Sequence, residues 1–158
     1  MHAAHLEDVS ASGDPTSGPA IGSGRRPDSR TRVVVADDHA GVRTALTRLL
    51  QGLEDITLVG AAVDGEHAVS LCREIAPDVV LMDLRMPVLD GVEATRRITA
   101  DRPQTRIVLF TAFPSEAQIA DALAAGAVAC VLKHESRETI LGAIRSAAGV
   151  APLEERVR

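Results

Sequence analysis

Five times between residues 32 and 148 a short apolar run gives way to a stretch of helical periodicity, and this alternation restricts the fold more than any other feature of the chain. The runs are Val33 to Ala36, Ile56 to Ala61, Val79 to Met82, Ile107 to Phe110 and Val128 to Leu132. Several are unbroken rather than alternating, the pattern of strands buried on both faces of a parallel sheet. Between them Val42, Ala45, Leu46, Leu49 and Leu50 form an i, i+3, i+4, i+7, i+8 stripe, and Ala68, Leu71, Cys72 and Ile75 form a second. Ile140, Leu141, Ile144 and Ala148 mark the last helix, while those after Asp90 and Pro114 are more weakly patterned, the second being Ala-rich and closed by Gly126 as a C-cap. Five βα units in about 115 residues are too few for a closed eight-stranded barrel. The expected fold class is therefore α/β, an open, doubly wound, five-stranded parallel sheet in the order 2-1-3-4-5.

A chain of 158 residues with 46% apolar composition can bury one core but not two. Residues 1–31, dominated by Gly, Ser, Pro and charge without apolar periodicity, are expected to form a disordered tail, residues 32–148 the domain, and residues 149–158 a short C-terminal tail. No apolar stretch follows the Met as a secretory signal requires, and no segment approaches the length of a membrane span, so a cytoplasmic protein with no membrane partner is expected. Residues 1–32 carry four Arg against four acids, so the net charge of -5 falls on residues 33–158, with 13 basic and 18 acidic side chains. An acidic domain matches nucleic acid poorly. Arg25, Arg26, Arg30 and Arg32, without interleaved aromatics, read as a solvated tail. Cys72 and Cys130 lack metal-type spacing and are expected to be buried free thiols, as in a reducing compartment.

Right-handed crossovers bring all strand C-termini to one edge, with a crevice between strands 1 and 3. The segment VVVADDHAG ends strand 1 in Asp37 and Asp38, and VVLMDLRMP ends strand 3 in Asp83. Asp38 alone could serve as the N-cap of a helix starting near His39, and His39, which adjoins the acidic pair and could tune a metal site, reads rather as a solvated residue of the first helical turn. Three carboxylates in one crevice repel one another unless a cation neutralises them, and an all-oxygen set selects a hard divalent ion, with Mg²⁺ expected. VLFTAF places Thr111 at the same edge, and CVLK places Lys133 there, the one lysine in a chain with sixteen arginines. A lone lysine where every other cation is Arg points to a demand for a compact ammonium. Ammonium, hydroxyl and cation around a carboxylate suit a phosphoryl group, with Asp83 as a nucleophile forming an acyl phosphate.

Taken together, VVVADDHAGVR, VVLMDLRMPVLDG, IVLFTAF and GAVACVLK resemble the receiver domain of bacterial two-component response regulators, a flavodoxin-like fold, over about residues 32–148. The wording DLRMP and LFTAF is most similar to the NarL/LuxR-type subfamily. The resemblance implies that Asp83 takes phosphate from a sensor histidine kinase. It also implies that Asp38, Asp83 and the Arg85 carbonyl bind Mg²⁺ directly with Asp37 acting through water, and that Thr111 and Lys133 sense the phosphoryl group. A phosphorylation-activated switch is then expected, not an enzyme beyond its own phosphotransfer and dephosphorylation.

Two departures stand out. Cys130 occupies the strand 5 position where the family usually has an aromatic switch residue, with Phe113 as a partial substitute, and only ten residues follow Ala148 where the subfamily usually continues into a helix-turn-helix. With Pro152 in GVAPLEERVR, no recognition helix is expected there, so sequence-specific DNA binding is not expected of this chain. Its output would pass to a separate protein or a homodimer through the face formed by its fourth and fifth helices and strand 5, or the chain is a receiver cut from a longer regulator. A Mg²⁺-dependent phosphohydrolase of the haloacid dehalogenase type would need an acid two residues past its nucleophile, where this chain has Arg85. A phosphorylation-independent pseudo-receiver would be expected to lack some of the five site residues, all of which are present.

Overall fold

Residues 29–149 are described by a computed structural model; residues 1–28 and 150–158, which hold most of both expected tails along with Arg25, Arg26 and Pro152, lie outside the described residues. Strands and helices alternate as β1 (Thr31–Ala36), α1 (Ala40–Leu50), β2 (Ile56–Ala62), α2 (Gly65–Ile75), β3 (Val79–Met82), α3 (Gly91–Asp101), β4 (Arg106–Thr111), α4 (Glu116–Ala125), β5 (Ala129–Leu132) and α5 (Arg137–Ala147). The strands form one parallel sheet in the order β2-β1-β3-β4-β5, as expected from the apolar runs.

The unbroken runs are explained by two cores. Val34, Ala36, Val80, Met82, Ile107 and Leu109 face α2, α3 and α4, where Ala68, Cys72, Ala94, Ile98 and Ala122 are buried. The intervening Val33, Val35, Val79, Leu81, Val108 and Phe110 face α1 and α5, against Leu46, Leu50, Ile140, Leu141 and Ile144. Period-2 alternation therefore persists in space but both faces need apolar residues. The weakly patterned α3 and α4 are delimited by their ends: Asp90 accepts from the Glu93 amide, and Ser115 and Gln118 form a reciprocal capping box. Gly126 closes α4 at φ 120°, a conformation open to Gly, and a Cβ there would lie 2.6 Å from Thr99 Oγ1.

Two readings are corrected. The N-cap of α1 is His39, not Asp38, and it makes no side-chain capping bond. Arg32 belongs to β1 rather than to a solvated tail: its amide donates to Asp78 Oδ2 at 2.8 Å, and its Nη1 donates at 2.8 Å to the carbonyl of Ala76, the left-handed residue that ends α2. β1 accordingly starts at Thr31, whose amide donates to the Asp55 carbonyl at 2.7 Å.

The same Asp55 ties the opposite end of the chain. Arg145 of α5 donates to both its carboxylate oxygens, at 2.6 and 3.1 Å, with both side chains mostly covered. A forked, part-buried pair is stronger than an exposed one. Asp55→Asn keeps the backbone bond to Thr31 but loses the charge, and is expected to lower stability by about 1 kcal/mol. Urea unfolding checks this, and an unchanged midpoint would contradict it.

Candidate functional site

The ladder of the sheet extends one residue beyond three strand ends, and this delivers the polar residues to the C-terminal edge. The amide of Asp37 donates to the Ala62 carbonyl (3.1 Å), that of Asp83 to Ala36 (2.9 Å), and that of Lys133 to Thr111 (2.9 Å). Asp37, Asp83 and Thr111 are buried, and Asp38 is exposed. The donor atoms of Asp37, Asp38, His39 and Asp83 all lie within 4.8 Å of one another, a group able to hold a metal ion.

Lys133 reaches into this group, with Nζ 2.6 Å from Asp37 Oδ2 and 3.2 Å from Asp83 Oδ2. The first is a short ammonium–carboxylate contact that partners the fully buried Asp37 Oδ2. Burial raises the Asp83 pKa, the Asp37 charge raises it further, and Lys133 and the Arg85 amide offset only part of this. Burial depresses Lys133, but the Asp37 and Asp83 carboxylates outweigh it and the net shift is upward. Buried, mutually repelling Asp37 and Asp83 beside the exposed Asp38 form an all-oxygen carboxylate set that fits a hard divalent cation.

Of the expected site residues, Asp37, Asp38, Asp83 and Lys133 are brought into one cluster, and Thr111 ends β4 beside Lys133. Arg85 lies in the β3–α3 loop, where its amide favours the charged form of Asp83. Cys130 is a half-buried free thiol in β5, paired with Leu109, and Cys72 is a buried one whose pKa is pushed up to about 12 by burial. Phe113 is 82% exposed, so it does not fill the place of a strand 5 ring.

Two features escaped the sequence reading, and a third, His39, reads there chiefly as solvated. His39 is exposed, as expected of a solvated residue, yet its Nδ1 lies 3.2 Å from Asp37 Oδ1 and 3.1 Å from Asp38 Oδ1. Its adjacency to two acids was the available signal. Arg43, one turn into α1, donates to the Asp37 carbonyl at 2.8 Å. The other is the loop after Asp83, for which no sequence signal exists. Gly91 packs so closely that a Cβ would lie 2.0 Å from the Asp83 carbonyl oxygen, and a Cβ on Gly65 would lie 2.0 Å from that of Leu89. Between these contacts the Leu89 amide donates to the Pro87 carbonyl at 2.8 Å, forming a three-residue turn around Val88 at φ 70°. A β-branched residue at positive φ is strained, and Val88 is 79% exposed with little packing to compensate. Val88→Gly is expected to raise stability by about 1 kcal/mol, strain relief exceeding the added unfolded-state entropy. A lower melting temperature in the variant would contradict this.

A doubly wound sheet with an acidic, cation-capable crevice at its strand 1/strand 3 switch point defines an α/β ligand-binding domain of the general type that such crevices serve. The comparisons make this specific. The response regulator receiver domain model matches residues 33–145, and the chain belongs to that family, the receiver domains of two-component signalling. It is 40% identical over 113 residues to the transcriptional regulatory protein LnrK of Bacillus subtilis, covering 72% of this chain and 51% of that one. With LiaR of the same organism it shares 39% identity over 127 residues, 80% of this chain and 60% of the relative. The chain thus spans about half the length of the curated relatives it matches. The signal receiver domain of the putative response regulator NarL from Mycobacterium tuberculosis superposes with a TM-score of 0.72 at 35% identity, covering 77% of this chain and 98% of that one. Among the described residues no helix is long and apolar enough to cross a membrane.

Proposed function

We propose that this receiver is switched by phosphorylation of Asp83, with a sensor histidine kinase as donor. The observation that carries the reading is the junction of buried Asp83 with Asp37, Asp38 and Lys133 at one sheet edge. An Asp83 carboxylate oxygen attacks the phosphorus, the bond to the donor nitrogen breaks, and its electron pair stays on the donor imidazole. Lys133 then pairs with one phosphoryl oxygen, and the Thr111 hydroxyl donates to another. Asp38, Asp83 and the Arg85 carbonyl would hold Mg²⁺, with Asp37 acting through water. Bound there, Mg²⁺ would offset the charge of the incoming phosphoryl group.

The described domain passes its state on by protein contact, to a separate protein, a second copy or another part of a longer chain, rather than reading DNA itself. Supporting this, the five described helices all flank the sheet and residues 33–158 are net acidic. The relatives' names as transcriptional regulators make specific DNA binding the outcome to test against. Incubation of the full chain with a small-molecule phosphodonor and Mg²⁺, followed by intact-mass measurement, should give a single phosphoryl adduct that a chelator prevents. Unmodified protein, or an adduct indifferent to chelation, would contradict the reading.

A further inference from the structure

His39 plays no part in phosphotransfer as described, yet its imidazole stands beside the acidic crevice. We propose that His39 Nδ1 is a direct donor of the cation site, so that the crevice favours borderline divalent transition ions such as Ni²⁺ more strongly than its carboxylates alone would. The inference rests on the reading that Asp38 and Asp83 hold a cation.

The geometry comes from the backbone. His39 is an N-cap at φ -88° and ψ 115°, outside the helix, and its own amide donates to Asp37 Oδ1 at 2.8 Å. Its side chain makes no capping bond. Instead Nδ1 stands 3.1 Å from Asp38 Oδ1 and 3.2 Å from Asp37 Oδ1. In an octahedron with metal–ligand bonds of about 2.1 Å, neighbouring donors lie about 3.0 Å apart and opposite ones about 4.2 Å. The separation from Asp38 Oδ1, a direct ligand in that reading, is close to that of neighbouring vertices, while Asp37 Oδ1, which acts through water, is hydrogen-bonded to the ring at 3.2 Å. The imidazole is 68% exposed, so an ion can enter past it, and a variant there removes little packing.

Carboxylate sets suit Mg²⁺, whereas imidazole contributes strongly to Ni²⁺ and Zn²⁺. Titration calorimetry on the metal-stripped full chain with Mg²⁺ and with Ni²⁺ tests the idea. His39→Ala should weaken Ni²⁺ at least tenfold while changing Mg²⁺ less than twofold. The other four histidines are common to both proteins, so Ni²⁺ held by them cancels in the comparison. Zn²⁺ should also move the His39 Nδ1 resonance in a nitrogen-15 spectrum. Equal weakening of both ions would mean that the ring acts only as a hydrogen-bonding or charged neighbour, and an unchanged Ni²⁺ affinity would mean that it does not act at all; either overturns the proposal. Asp38→Asn separates the two readings. If it weakens both ions while His39→Ala spares Ni²⁺, only the role of His39 falls, and if it weakens neither, the cation site falls with it.

Discussion

Asp83→Asn is expected to abolish phosphoryl uptake from a small-molecule donor, to less than about one hundredth of the wild-type yield, while making the chain more stable. An amide oxygen is a far weaker nucleophile than a carboxylate. The neighbouring acids cannot take over by default, because Asp37 is pinned by the His39 amide and faces Lys133, and Asp38 points from an exposed position. Stability should move the other way. The Asp83 charge is opposed first by burial and then by Asp37, and Lys133 relieves only part of this. Removing it in the presence of a chelator should stabilise the fold by on the order of 1 kcal/mol, about 4 °C in Tm. Mass spectrometry and thermal unfolding read the two effects on one sample. A phosphorylated variant would refute the assignment of the acceptor, and a destabilised one would show that Asp83 contributes more to packing than its electrostatics suggest.

Lys133→Arg should blunt the response to phosphorylation although the charge is kept. The Lys133 ammonium sits between Asp37 and Asp83, with 19% of its side chain exposed. A guanidinium is broader, planar and fork-shaped, and suits paired oxygens rather than the single point contacts an ammonium makes. Its displacement would loosen the tie between β5 and the acceptor, and the phosphorylation-linked coupling should fall by on the order of 1–2 kcal/mol. Amide hydrogen exchange around β5 and α5, before and after phosphodonor treatment, measures this. Tryptophan fluorescence cannot, since the chain has no Trp. An unchanged exchange response would remove the argument that this position requires lysine.

How much of this was legible beforehand follows from which interactions are local. Apolar runs such as Val79–Met82 report burial on both faces, and five of them separated by helical stripes leave few parallel arrangements, so the sheet order could be written from the sequence. Asp37, Asp83 and Lys133 follow strand ends, and a parallel sheet gathers those ends on one edge, so their meeting was legible too. Contacts made across the sheet edge or between loops were not. Arg32 reads as part of a polar tail until the Ala76 carbonyl is found beside it. His39 reads as solvated, and its exposure bears that out, but only the path of the chain through the α1 N-cap turns its ring toward two carboxylates. Nothing in VLDG announces that Val88 carries a positive φ, because that strain is imposed by the close approach of Gly65 to Leu89 and of Gly91 to Asp83. Periodicity and strand ends record what each segment does for itself, so the sequence alone determined the layers and the gathering of acids. Bond directions, strain and the exact neighbours of His39 arise from packing between segments distant in the chain, and only the tertiary structure decided those.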